Sequence, residues 1–207
     1  MFSDQDLAVM DSIIKRYPRS RSAIMPLLHY VQSKAGYVTN EGIELIAKLL
    51  TLETAEVSAV ATFYTQYKRK PVGEYHVGVC TNTLCAVMGG DAIFAGLKSH
   101  LGIENDGVTA DGKVSLEHIE CNAACDYAPV VMANWEFYDN QSVESAKDLV
   151  DSMRQGNPIP PTRGPKSLPT WKENSAVLAG INDGRANEGV QAGEPTLLGL
   201  KLAKEGK

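Results

Sequence analysis

Through residue 70 the apolar positions fall three and four residues apart, the spacing of one helix face; beyond Pro71 they fall two apart, as in a strand. Leu7, Met10, Ile13 and Ile14 form the first stripe, opened by a Ser3–Asp6 capping box and closed by Pro18. A second helix is predicted over 20–33, with Ala23, Ile24, Leu27, Leu28 and Val31 inward and a kink at Pro26. Asn40 is placed to cap a third, carrying Ile43, Ile46, Ala47 and Leu50. A fourth covers 54–67, with Val57, Val60, Ala61 and Tyr64 on one face. Short helices on short connections predict a small helical bundle over 1–70.

Tyr75, Val77 and Val79 then alternate as a strand that ends at Cys80. A helix is expected over 84–101, with Met88, Ile93, Leu97 and Leu101 on one side. Gly89-Gly90 inside it costs about 1 kcal/mol per glycine, which predicts close packing against a neighbour. A second strand over 114–120 ends at Cys121, and 129–134 with 135–138 reads as a hairpin turning near Asn134. From Ser142 an amphipathic helix buries Val143, Ala146, Leu149, Val150 and Met153, and Gly156 stops it. The order β-α-β-β-β-α over 71–155 makes one sheet flanked by two helices, with a right-handed first crossover if its strands are parallel. The fold class is therefore α+β.

Residues 156–207 hold 8 Gly and 6 Pro among 52, about 27%, the level at which an extended course is expected. The segment carries 7 Lys/Arg against 5 Asp/Glu, which leaves net −7 on residues 1–155. A basic tail on an acidic body suggests an arm lying on a surface, and a merely solvated terminus is the alternative.

Composition excludes more than it assigns. With 43% apolar and 22% charged residues the 207-residue chain reads as a globular protein. Its net charge of −5 gives no general attraction to nucleic acid or anionic lipid. The helical rhythm over 40–67 could pass for a DNA-binding pair, but 54–66 carries no cation, so nucleic-acid binding is not expected. No apolar run approaches the ~20 residues that cross a bilayer, so no membrane insertion is expected. The opening Met1-Phe2-Ser3-Asp4-Gln5-Asp6 lacks the layout of a signal peptide, and a cytoplasmic location follows as the expectation. In a reducing compartment the four cysteines are not expected to form structural disulfides.

Those cysteines carry the chemistry. Cys80 and Cys85 stand as C-x4-C, Cys121 and Cys125 as C-x3-C, and each pair starts where a strand stops. Two neighbouring strand ends would thus bring four thiolates to one place, which suits a [2Fe–2S] cluster with each pair chelating one iron. Backbone amides after Cys80 (Thr81, Asn82, Thr83) and after Cys121 (Asn122, Ala123, Ala124) can point at sulfur and offset its charge. Small residues at Ala86, Ala123, Ala124 and Ala128 leave room for that approach. Structural zinc is the competing occupant, although zinc pairs usually sit on tighter C-x2-C turns. A thioredoxin-type redox pair would need C-x-x-C, which is absent. There is no G-x-G-x-x-G and no P-loop, and His29, His76, His100 and His118 are scattered, so no second catalytic centre is visible.

The chain resembles the small thioredoxin-like [2Fe–2S] subunit of bacterial and mitochondrial NADH–quinone oxidoreductase (respiratory complex I). The resemblance spans about residues 5–155. It rests on Tyr17-Pro18, on Gln32 with Gly36-Tyr37-Val38, and on Val60-Ala61-Thr62-Phe63-Tyr64. It rests further on Val79-Cys80 and Cys85 with Gly89, and on Cys121-Asn122-Ala123-Ala124-Cys125 leading to Ala128-Pro129. It implies a helical N-terminal region joined to a thioredoxin-like domain, with Cys80, Cys85, Cys121 and Cys125 as ligands of one [2Fe–2S] cluster. It also implies a non-catalytic electron-carrier role beside a partner flavoprotein that itself binds FMN and NADH. Other iron–sulfur subunits would complete a peripheral arm on the inner membrane. Similar subunits serve NAD-reducing hydrogenases and NAD-dependent formate dehydrogenases. The alternative of a different class is a zinc-stabilised module without redox function. Within the electron-carrier reading, the 156–207 arm is expected to lie across the flavoprotein with Trp171 in one of its pockets.

Overall fold

The computed structural model describes residues 2–206. In chain order its helices are α1 (Asp4–Ile14), α2 (Ile24–Ala35), α3 (Asn40–Leu50), α4 (Thr54–Phe63), α5 (Thr83–Val87), α6 (Gly90–Leu101), α7 (Val143–Arg154), α8 (Trp171–Leu178) and α9 (Glu194–Lys204). Its strands are β1 (Tyr75–Cys80), β2 (Gly107–Val108), β3 (Val114–Ile119), β4 (Val131–Ala133) and β5 (Glu136–Tyr138). The chain divides into two compact units. One comprises residues through Val72 together with Pro169–Asp183; the other comprises Gly73–Leu168 with the residues from Gly184 onward. The stretch 156–207 is divided between the two units.

In the helical unit α1 opens on the expected box, Asp6 N donating to Ser3 Oγ at 3.2 Å and Ser3 N to Asp6 Oδ2 at 2.9 Å. Three expectations change here. A 3-10 turn (Ser20–Ala23) precedes α2, so Pro26 lies in the first helical turn, where its missing N–H removes no intrahelical bond, and it marks no break. Thr39, not Asn40, caps α3, its hydroxyl accepting from Gly42 N at 3.0 Å. And α4 ends at Phe63, because Tyr64 turns to extended backbone and Tyr67 reaches back to donate to the Met25 carbonyl at 3.1 Å. The core is built by Met10, Ile13, Leu27, Leu28, Val31, Ile46 and Val57.

The largest departure is α8. Trp171 is only 2% exposed within this chain, and its Nε1 donates to the Gly36 carbonyl at 2.7 Å. Gln32, fully buried on α2, donates from Nε2 to Ser175 Oγ at 3.3 Å and to the Gln66 carbonyl at 3.1 Å, and accepts from Lys68 N at 2.8 Å. An indole already buried and hydrogen-bonded here is not free to anchor a partner, so the extended arm with Trp171 outward is overturned.

His29 makes this unit acid-sensitive. It is buried against Tyr67, with ring centroids 4.7 Å apart, and Nδ1 has no hydrogen-bond partner among the described residues. Burial drops its pKa from 6.5 to about 4, a Gln66 hydrogen bond opposing. The unfolded chain takes up this proton at the higher value, so the His29 contribution is whole above pH 6.5 and is lost as pH falls toward 4. The loss amounts to about 3 kcal/mol. Urea unfolding at pH 7 and pH 4.5 is expected to show the drop, and His29→Phe to flatten it.

In the second unit the sheet runs β2-β3-β1-β4-β5. β1 and β3 are parallel in register from Tyr75↔Val114 to Cys80↔Ile119, and β4 lies antiparallel on the other side of β1. Asn134 and Trp135, with φ of 47° and 67°, make the tight turn from β4 to β5. Val77, Val79, Leu116 and Val131 are buried with Ile93 and Leu97 of α6 and Leu149, Val150 and Met153 of α7. The predicted 84–101 helix is two helices, because Gly89 at φ 113° interrupts it. Beyond α7 the chain laces along β5, Thr162 N donating to the Phe137 carbonyl at 2.9 Å and Tyr138 Oη to the Ile159 carbonyl at 2.6 Å. Among the described residues no helix is long and apolar enough to cross a membrane.

Candidate metal centre

The parallel register of β1 and β3 delivers the two cysteine loops side by side. Cys80 is the last residue of β1, paired with Ile119, and Cys121 follows Ile119 by two residues. Cys85 sits on α5, and Cys125 opens a 3-10 turn, Cys125–Tyr127. Gly90 brings α6 against the first loop: a methyl group there would overlap the Cys80 carbonyl and crowd that of Cys85. The close packing inferred for Gly89-Gly90 thus belongs to Gly90 alone, while Gly89 supplies the left-handed break.

All four cysteines line one cavity of about 340 Å³, with Asn82, Thr83, Leu84, Asn122, Ala124 and Val130 completing its wall. Cys80 and Cys85 are 2% and 4% exposed, whereas Cys121 and Cys125 are open to solvent. Within each pair the sulfurs are mutual neighbours. Burial pushes the Cys85 thiol up to about 11, and the Cys80 and Cys125 sulfurs reinforce the shift against a Val130 backbone hydrogen bond. Cys125 is raised chiefly by Cys121, through a hydrogen bond and through charge. Thiols gathered this closely favour binding of cationic metal, which offsets the thiolate charge and displaces their protons.

The residues present fit a two-iron, two-sulfide group. The sulfurs form two close pairs around a shared space. Among the described residues no three His, Cys, Asp or Glu side chains gather closely enough to hold a single metal ion. Ala123, at φ 54°, turns its N–H onto Cys121 Sγ at 3.3 Å, as expected of a loop amide near a thiolate ligand. Asn122 Nδ2 is buried at the cavity wall without a hydrogen-bond partner among the described residues, a donor that an inorganic sulfide or thiolate would satisfy.

Among the described residues no histidine joins the cavity wall. His76 is buried between Ser115 Oγ at 2.9 Å and Glu117 Oε2 at 2.8 Å, and His100 pairs with Asp151 at 2.8 Å. Two contributors are not apparent from the sequence. Tyr127, immediately after the second pair, packs in one apolar group with Cys80, Cys85, Ala124 and Ala128. Gly193, which meets the Tyr127 hydroxyl, carries no local signal at all.

A family model described as thioredoxin-like [2Fe-2S] ferredoxin matches residues 10–154. An NADH-quinone oxidoreductase subunit of Mycobacterium bovis is 60% identical over 194 residues, which cover 93% of this chain and 77% of that protein. Its Rickettsia bellii counterpart is 40% identical over 156 residues, 74% of this chain and 93% of that one. Among solved structures an NAD+-reducing [NiFe]-hydrogenase in the H2-reduced state superposes with a TM-score of 0.57 at 18% identity. That match covers 65% of this chain but 23% of the hydrogenase chain, and it speaks for the fold alone. With the family model covering most of its length and the Mycobacterium bovis relative matching 93% of it, this chain belongs to the thioredoxin-like [2Fe–2S] ferredoxin family.

Proposed function

We propose that the chain is the electron-carrying iron–sulfur subunit of an NADH-quinone oxidoreductase, holding one [2Fe–2S] cluster on Cys80, Cys85, Cys121 and Cys125. The observation that carries this is the convergence of two cysteine pairs, from adjacent parallel strand ends, on one cavity. When bound, the cluster supplies a one-electron acceptor whose two ferric ions, two sulfides and four thiolates together carry a net formal charge of about −2. The chain's part is to hold and insulate it. Cys80 and Cys85 keep water from one side, the Ala123 amide offsets charge at Cys121, and the exposed Cys121 and Cys125 leave the other side approachable.

The electron source proposed is FMN on a partner flavoprotein that also binds NADH. Flavin receives two electrons together as hydride, and a one-electron acceptor nearby takes one of them. This chain has no nucleotide fingerprint of its own. Relatives named as subunits of an oxidoreductase support a place for it in a multi-subunit assembly. We further assign it to the cytoplasmic, membrane-peripheral part of that assembly, beside other iron–sulfur subunits.

The test is the purified protein. It is expected to be brown, with two irons and two sulfides per chain and an EPR signal on reduction. All-cysteine ligation places the midpoint low, on the order of −400 mV as in plant-type ferredoxins. A colourless protein with one zinc, or a midpoint above zero, overturns the assignment.

A further inference from the structure

The residues from Gly184 onward lie beyond the stretch that the family model matches, yet they pack within the same unit as the cysteine cavity. The point of contact is the turn that bears Cys125. Tyr127 N donates to the Ala124 carbonyl at 3.0 Å and Ala128 N to that of Cys125 at 3.3 Å, so the Tyr127 ring and the Cys125 thiol move together. Tyr127 packs against the buried group that includes Cys80 and Cys85. Its outer side is covered by Arg163, whose guanidinium lies 4.8 Å from the Tyr127 ring centre and 3.9 Å from that of Phe137. Asp139 fixes that guanidinium, with Arg163 Nη2 donating to Oδ1 at 3.2 Å.

The C-terminal segment is laid over this arrangement and tied to it at successive points. Lys166 N donates to Glu188 Oε2 at 3.0 Å, Gly164 N to the Val190 carbonyl at 3.3 Å, and Arg163 Nη1 to the Gln191 carbonyl at 3.1 Å. Thr196, in the first turn of α9, donates from its hydroxyl to Asp126 Oδ2 at 2.8 Å. Two glycines make the fit possible: a methyl group on Gly189 would overlap the Gly164 carbonyl, and one on Gly193 would overlap the Tyr127 hydroxyl. The segment therefore crosses the two residues that follow Cys125 at van der Waals distance.

We propose that this segment is a strap that positions Cys125, acting through Tyr127 and Asp126 to hold the solvent-facing pair against the metal group. The proposal rests on the cluster assignment above. A thiolate on an exposed turn detaches when the turn opens locally, and the population of that opening sets how fast iron is lost. Opening this turn swings Tyr127 outward, and Gly193 with the Thr196–Asp126 bond blocks the swing.

The experiment compares the full chain with a truncation after Asp183, which keeps α8, and with Gly193→Val in the full chain. Gly199→Ala serves as control, since Gly199 faces open space. Iron transfer to a colorimetric chelator is followed in each loaded protein, alongside the thermal midpoint of the cluster-free protein. Truncation and Gly193→Val are expected to release iron about tenfold faster or more, the factor that losing one or two hydrogen bonds implies. Gly199→Ala is expected to match the parent, and the thermal midpoint of Gly193→Val to stay at the parental value. Equal release from parent and Gly193→Val overturns the strap, whether or not the truncated chain folds.

Should none of the proteins take up iron, the cluster assignment is what has failed. Alkylation of Cys125 by iodoacetamide in the cluster-free chains, read by peptide mass, then decides the strap by itself. Faster labelling in Gly193→Val supports it, and equal labelling overturns it.

Discussion

Replacing any one of Cys80, Cys85, Cys121 or Cys125 by alanine is expected to take cluster content from one per chain to none. Each pair would chelate one iron, and an iron left with a single protein thiolate is not held. The four variants should nonetheless differ in what survives. Cys121 and Cys125 are open to solvent, so their removal costs the fold little. Cys80 and Cys85 pack with Ala124, Val130 and Met132, and alanine there leaves a small void as well. Iron analysis and the EPR signal of the reduced protein read the first effect, and thermal melting of the cluster-free chains the second. A variant that kept the full native signal would remove that cysteine from the ligand set. Because the Cys85 thiol stands at about 11, loading at neutral pH must expel its proton. Reconstitution should accordingly quicken as pH rises from 7 to 9.

Trp171→Ala is the second large effect, and it falls on the helical unit. Truncating a buried aromatic costs about 3–5 kcal/mol. The change also orphans the Gly36 carbonyl, which accepts from the indole at 2.7 Å. Against a typical domain stability of about 5–15 kcal/mol, that is a large fraction. Urea unfolding followed by circular dichroism should show the loss, while the cluster spectrum at low denaturant stays native because no cysteine packs in that core. Trp171→Phe keeps most of the packing and loses the hydrogen bond, so about 1 kcal/mol is expected. A Trp171→Ala cost below about 1 kcal/mol would mean that α8 is not part of this core.

Much of the site is visible in the chain because it is written locally. Alternation at Tyr75, Val77 and Val79 locates the strand that ends at Cys80, and the Ser3 and Ser142 caps lie where their signatures put them. The departures come where one residue type serves two purposes or where distant segments meet. Gly89 and Gly90 look alike in sequence, yet one breaks a helix and the other lets α6 touch the Cys80 loop. β2 is two residues long and pairs only through its neighbour β3, so it has no periodicity to detect. The C-terminal stretch misleads because averaging its Gly and Pro content hides two helices, α8 and α9. Within it Thr170 and Glu173 form a complete capping box at the start of α8, a local signal that the average outweighs. The fit of Gly193 on Tyr127 is not legible at all, since neither residue constrains the other until the chain is folded.

The return of α8 to the N-terminal helices has a consequence for the order of assembly during synthesis. Trp171 and its acceptor Gly36 are 135 residues apart, and the whole sheet from β1 to α7 is translated between them. Loop closure over such a span is entropically dear only logarithmically, about 0.6 kcal/mol for each doubling, but it must wait for the later partner to exist. Helices α1 to α4 therefore leave the ribosome first and yet must wait for α8 before their unit is complete. A nascent chain that has not reached Pro169 carries an open groove on α2 where the indole belongs, while the strands and helices from Gly73 to Arg154 are contiguous and can already close. Exposed apolar surface on the helical half before release is where a chaperone would find this chain.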